Sequence, residues 1–134
     1  MKTLSKFFFA TLFGSLMFNF FYGNRAEAGA KESYEKYLQG KAIFIDVREK
    51  PELESGMVKG ALFFPLSEIE KDRKAAATRI KELAKGKEIY LYCRSGNRSG
   101  IVKEYLSKEG VEAFNAGGFS SLAAEKIPTE PGPK

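Results

Sequence analysis

The 134-residue sequence has no histidine, no tryptophan and a single cysteine, Cys93. One cysteine excludes an internal disulfide. The lack of histidine excludes a Cys–His nucleophile pair, so any activation of the thiol must come from other groups. With one cysteine, no histidine and scattered carboxylates, no metal site is formed and no cofactor is called for. Long runs of one charge are also missing. The chain carries 22 basic and 17 acidic residues, a net charge of +5, with no basic run that would bind nucleic acid. Internal repeats and low-complexity segments are absent.

The first feature present is a leader. Lys2 and Lys6 precede "FFFATLFGSLMFNFFY" (Phe7 to Tyr22), whose one strongly polar residue is Asn19, and Ala26-Glu27-Ala28 forms an A-x-A cleavage signal. Basic, then apolar, then small residues define a signal peptide of the general secretory type over 1–28, cut after Ala28. The rival is an uncleaved anchor, because these 16 residues fall just short of the roughly 17–25 that span a bilayer. No cysteine stands near the cut, which excludes a lipoprotein, and no arginine pair precedes the apolar block, which disfavours twin-arginine export. The expected product is an exported, periplasmic, monomeric domain over 29–134, touching membrane only through its leader. Removing the leader leaves 106 residues and a net charge of +3, an ordinary solvated surface that mildly favours a small anionic substrate.

Within 29–134, "IFIDV" (Ile43 to Val47) and "EIYLYC" (Glu88 to Cys93) are short β-branched and aromatic runs. They predict buried parallel strands. "ALFFP" and "EAFNAGG" predict two more. "SEIEKDRKAAATRIKELAKG" predicts one helix that opens on a Ser67/Glu70 capping box and stops near Gly86, with Ile69, Ile80 and Leu83 inward. "SGIVKEYLSKEG" predicts another, capped by Ser99 and stopped by Gly110, with Ile101, Val102, Tyr105 and Leu106 inward. Alternating strands and helices make this an α/β domain with a mostly parallel sheet. The proline-rich end "IPTEPGPK", and above all 129–134, is expected to fray.

The lone cysteine then acquires a context. Ligands of parallel sheets bind beyond the carboxyl ends of the strands, and Cys93 ends one and begins a strand-to-helix loop. Residues Arg94 to Ser99 can aim successive backbone N–H groups inward as an anion nest, with a helix dipole behind them. Arg94 and Arg98 add positive charge, and Gly96 permits a positive φ. A cysteine so placed has a depressed pKa. A buried, inert cysteine is the alternative on count alone, and this context argues against it.

The loop "YCRSGNRS" resembles the active-site loop of rhodanese-type sulfurtransferases. Three further stretches are similar to signatures of that family, in the same order between Tyr34 and about Pro128. "IFIDVRE" resembles its D-V-R strand, "ELESGMVKGALFFP" its E-x-x-x-G-H-I-x-G-A stretch, and "FNAGGFSSL" its late G-G-x-x-x-W turn and helix. The small exported form is similar to periplasmic thiosulfate sulfurtransferases of the phage-shock type. Met57 replaces the histidine usual in the family, and Leu122 the frequent tryptophan; Leu122 can still fill a core pocket. Related phosphatases and arsenate reductases have C-x5-R, whereas Cys93 to Arg98 is C-x4-R, the shorter cradle associated with a sulfur-bearing cysteine. A phosphatase would also want a general acid, and none neighbours the loop.

The resemblance implies a small parallel sheet flanked by helices on both faces, and a double displacement. Cys93 takes sulfane sulfur from thiosulfate or another small donor, then passes it from a persulfide to cyanide or a thiol acceptor. Backbone N–H groups of Arg94, Ser95, Gly96, Asn97, Arg98 and Ser99 would hold the persulfide, and Arg94 and Arg98 the sulfonate end. In this reading Ser95 and Ser99 are side-chain donors, while Asp46 and Arg48 pair and brace the loop. A persulfide carrier without efficient turnover would need the same loop. A thiol redox protein would need an outside thiol, since no resolving cysteine is present.

Overall fold

The computed structural model describes Glu27 and residues 29–134, so the rest of the leader and the junction at Ala28 lie outside the described residues. Helix α1 (Ala30–Leu38) leads into strand β1 (Ala42–Asp46), a 3-10 turn (Lys50–Ser55), and the short strands β2 (Met57–Val58) and β3 (Leu62–Phe63). Helices α2 (Leu66–Lys71) and α3 (Arg73–Ala84) follow, then β4 (Glu88–Cys93), α4 (Asn97–Lys108), β5 (Phe114–Gly118), α5 (Phe119–Ala124) and β6 (Thr129–Glu130). Four parallel strands form one sheet in the order β3-β1-β4-β5, and β2 pairs antiparallel with β6.

Alternation along the two central strands explains the layers. Ile45 and Val47 of the β1 segment and Ile89, Leu91 and Cys93 of β4 face a core closed by Ile69, Ala76, Ile80, Val102 and Leu106 from α2, α3 and α4. Phe44, Tyr90 and Tyr92 face a second core closed by Tyr34 of α1 and Leu122 of α5. Both faces of the sheet are therefore covered, as parallel strands require. Leu122 is buried and fills the pocket expected of it; Met57 is buried in β2.

Four local expectations are corrected. The single helix over 67–86 is two, because Asp72 takes an extended conformation (φ −155°, ψ 92°) and its Oδ1 accepts the Ala75 N–H at 3.0 Å. An aspartate that caps a new helix interrupts the one before it. Ser67 is no cap either: it lies inside α2, where its N–H and hydroxyl bond the Glu49 carboxylate at 3.0 and 2.7 Å. Helix α4 starts at Asn97 behind Gly96 (φ 92°), so Ser99 is a buried first-turn residue rather than its cap. The C-terminal segment is pinned, not frayed. Ile127 is buried, β6 closes on β2, and Gly132 packs so tightly on the Leu53 carbonyl that a Cβ there would lie 2.3 Å away.

At the outer edge of the sheet, Glu27 bonds to the main chain of Asn115 in β5. Its N–H donates to the Asn115 carbonyl at 2.8 Å, its carboxylate accepts the Asn115 N–H at 3.0 Å, and it pairs with Lys103. Among the described residues no helix is long and apolar enough to cross a membrane.

Candidate active site

Cys93 ends β4 at the carboxyl edge of the sheet, fully buried. Beyond it the chain must turn at once into α4, and Gly96 makes that turn possible by adopting φ 92°. The turn folds the loop around the sulfur. Cys93 Sγ accepts the Gly96 N–H at 3.1 Å, and the Ser99 hydroxyl stands 3.5 Å away. Burial alone pushes the thiol up. The Ser99 hydroxyl and the N–H groups of Ser99, Ser95 and Gly96 outweigh it, so the Cys93 pKa lies below its ordinary value. The amino end of the 12-residue α4 adds its dipole in the same direction.

The loop is seated by β5. Cys93 and Gly118 are register partners, and a Cβ on Gly118 would lie 2.5 Å from the Arg94 carbonyl oxygen. Only a residue without a side chain lets the loop approach so closely.

The remaining expected residues divide into two groups. Arg94, Ser95 and Asn97 are exposed at the mouth of the loop, while Gly96 and Ser99 are buried inside it. Arg98 is half-buried and engaged: its two terminal nitrogens donate to Glu52 Oε2 and Oε1, each at 2.6 Å. That fork, helped by the Glu49 N–H, holds the Glu52 carboxyl down at about 2 against the cost of partial burial. Asp46 and Arg48 form the expected pair, at 2.7 Å and almost completely buried. Arg48 also donates to the carbonyls of Gly56 (2.6 Å) and Glu52 (3.3 Å) and lies 4.4 Å over the Phe119 ring. The pair therefore fixes the 3-10 turn that carries Glu52, and Glu52 in turn fixes Arg98. Its support of the loop is indirect.

Sequence reasoning missed Glu52 and Asn115 as members of this constellation. Asn115 is buried in β5, its Nδ2 donating to the Gly96 carbonyl at 2.9 Å and its Oδ1 accepting from Gly117 N–H and the Ser99 hydroxyl. The available signal was an amide side chain inside a strand of otherwise apolar and small residues, "FNAGG". Buried amides are retained where their hydrogen bonds are met.

A parallel sheet covered on both sides, with one cysteine sunk in a ring of amide donors at its carboxyl edge, defines an α/β protein organised to keep a sulfur anion. Residues 30–125 match the family model described as "Rhodanese-like domain", and the chain belongs to that family of sulfurtransferases. It is 43% identical over 81 residues to the uncharacterized protein YqhL of Bacillus subtilis, spanning 59% of each chain. It is 34% identical over 85 residues to the thiosulfate sulfurtransferase PspE of Escherichia coli, covering 63% of this chain and 77% of that one. A solved structure titled "rhodanese with anions from E. coli" superimposes with a TM-score of 0.55 at 31% identity, covering 68% of this chain and 99% of the other. The rhodanese-like fold expected from the sequence is the fold observed.

Proposed function

We propose that the protein is a thiosulfate sulfurtransferase that works through a Cys93 persulfide. The observation that carries this reading is the sulfur's position: buried at a strand end, with the donors of Ser95, Gly96 and Ser99 converging on it and its pKa depressed. The Cys93 thiolate attacks the outer sulfur of thiosulfate. The sulfur–sulfur bond of thiosulfate breaks, its electron pair leaves with sulfite, and a persulfide remains on Cys93. Cyanide, or a thiolate, then attacks the terminal sulfur, leaves with it as thiocyanate or a new persulfide, and returns the Cys93 thiolate. The amide ring is suited to the anionic persulfide, and exposed Arg94 to the sulfonate end of the donor. Arg98, bound by Glu52, serves chiefly to set the loop.

Two comparisons support the assignment: one relative is named a thiosulfate sulfurtransferase, and one structural neighbour is titled as a rhodanese with anions. In this reading residues 1–28 direct export and are removed, leaving a monomeric periplasmic domain that starts at Gly29.

The decisive experiment treats purified protein with thiosulfate, removes the excess and measures the intact mass. Gain of one sulfur atom, reversed by a reducing thiol and absent in Cys93→Ser, is the expected result. Saturable, ping-pong turnover with cyanide establishes the enzyme; stoichiometric loading without turnover assigns a sulfur carrier instead. An unloaded, folded protein that hydrolyses an aryl phosphate would overturn the proposal.

A further inference from the structure

Asn115 bonds through both ends of its side-chain amide. The Gly96 carbonyl requires a donor from it and receives Nδ2 at 2.9 Å; the Gly117 N–H requires an acceptor and finds Oδ1 at 3.0 Å. These two partners leave the amide one orientation, with its oxygen also facing Ser99 Oγ at 2.8 Å. Gly96 and Ser99 are the residues whose N–H and hydroxyl face Cys93 Sγ, at 3.1 and 3.5 Å.

A hydroxyl has one hydrogen, so Ser99 gives it either to Asn115 or to the sulfur. Against a neutral thiol the 2.8 Å bond to the amide oxygen is the better one. Against a thiolate the charge-assisted bond to sulfur competes with it. Ionisation of Cys93 releases the thiol proton to solvent, and the Ser99 hydrogen stays on its own oxygen and only turns.

We propose that Asn115 is a positioning residue of the sulfur site, holding the Gly96 and Ser99 donors in place and accepting the Ser99 hydrogen while Cys93 is neutral. The inference rests on the reading of Cys93 as the working thiolate. Asn115 touches neither sulfur nor substrate, so its effect must be read at the thiol.

The test is the pH profile of Cys93 alkylation by iodoacetamide in wild type, Asn115→Ala, Ser99→Ala and the double variant, each checked for a cooperative melt. Asn115→Ala frees the Ser99 hydrogen for the thiolate but unseats the Gly96 and Ser99 donors, and the loss of one such donor from the sulfur outweighs that gain: the midpoint moves upward by about one pH unit, an alkylation rate about tenfold lower below the midpoint. The double variant shifts by less than the sum of the singles, since both act on the same donors. An unshifted midpoint in folded Asn115→Ala overturns the proposal, and so does full additivity. Should Asn115→Ala fail to fold, Asn115→Ser carries the same test, because its single oxygen, one bond closer to the main chain, cannot stand where both Nδ2 and Oδ1 stand. The expected midpoint shifts, together with a wild type that takes no sulfur from thiosulfate, would refute the sulfurtransferase reading and leave the role of Asn115 intact.

Discussion

Burial and hydrogen bonding oppose each other at Cys93, and the donors win. Alkylation of wild type is therefore centred below the unperturbed thiol value of about 8.5; a midpoint at or above that value would return Cys93 to an inert core residue. At Arg98 the question is whether the guanidinium binds substrate or supports the loop. Its two bonds to Glu52 favour support. Arg98→Ala and Glu52→Gln are thus expected to lower persulfide yield and kcat together, whereas a substrate-binding arginine would raise KM alone. The same pair has an acid signature. Glu52 sits at about 2 in the fold against an ordinary 4.5, so its contribution is complete above 4.5 and lost as pH falls toward 2. Urea midpoints of wild type fall across that window, and those of Glu52→Gln fall less.

Helix ends and close approaches decide the behaviour of the elements. Asp72 starts α3 by accepting the Ala75 N–H, and Asp72→Ala is expected to cost about 1 kcal/mol, measured by urea titration. Strand β5 sets the cradle through Gly118, where a methyl group would collide with the Arg94 carbonyl oxygen at 2.5 Å. Backbone cannot yield as the tip of a flexible side chain can. Gly118→Ala therefore displaces the Arg94–Ser95 turn, and both the melting temperature and the persulfide yield drop. A Gly118→Ala protein that loads sulfur like wild type would show that the loop has slack. The strand β4 was legible to the residue because five apolar and aromatic positions, Ile89 to Cys93, end abruptly at a polar loop. The α2/α3 break was not, since Ser67 and Glu70 have the right spacing for a cap while the groups that decide, Pro65, Asp72 and Glu49, compete only once Glu49 is folded against Ser67.

At the scale of the whole molecule, β1 and β4 contribute side chains to both cores, so the two layers are expected to melt in one transition. The C-terminal segment belongs to that unit. Deleting residues 127–134 exposes the ground covered by Ile127 and removes the β2–β6 pair, at a cost of about 2 kcal/mol from the isoleucine alone. A urea midpoint unchanged by the deletion would restore the picture of a frayed tail. By itself the sequence determined the α/β class, the strand that ends at Cys93, the glycine that turns the loop, and the absence of disulfide, histidine and cysteine–histidine chemistry. These follow from composition and from local periodicity, which act over a few neighbouring residues. Tertiary structure alone decided that Glu52 takes Arg98 from 46 residues away, that Asn115 braces Gly96 from 19 away, and that the proline-rich end closes a strand pair. Those partners are chosen by which backbone and charged groups are left unpaired after the sheet has formed, and no pattern of nearby residues encodes that choice.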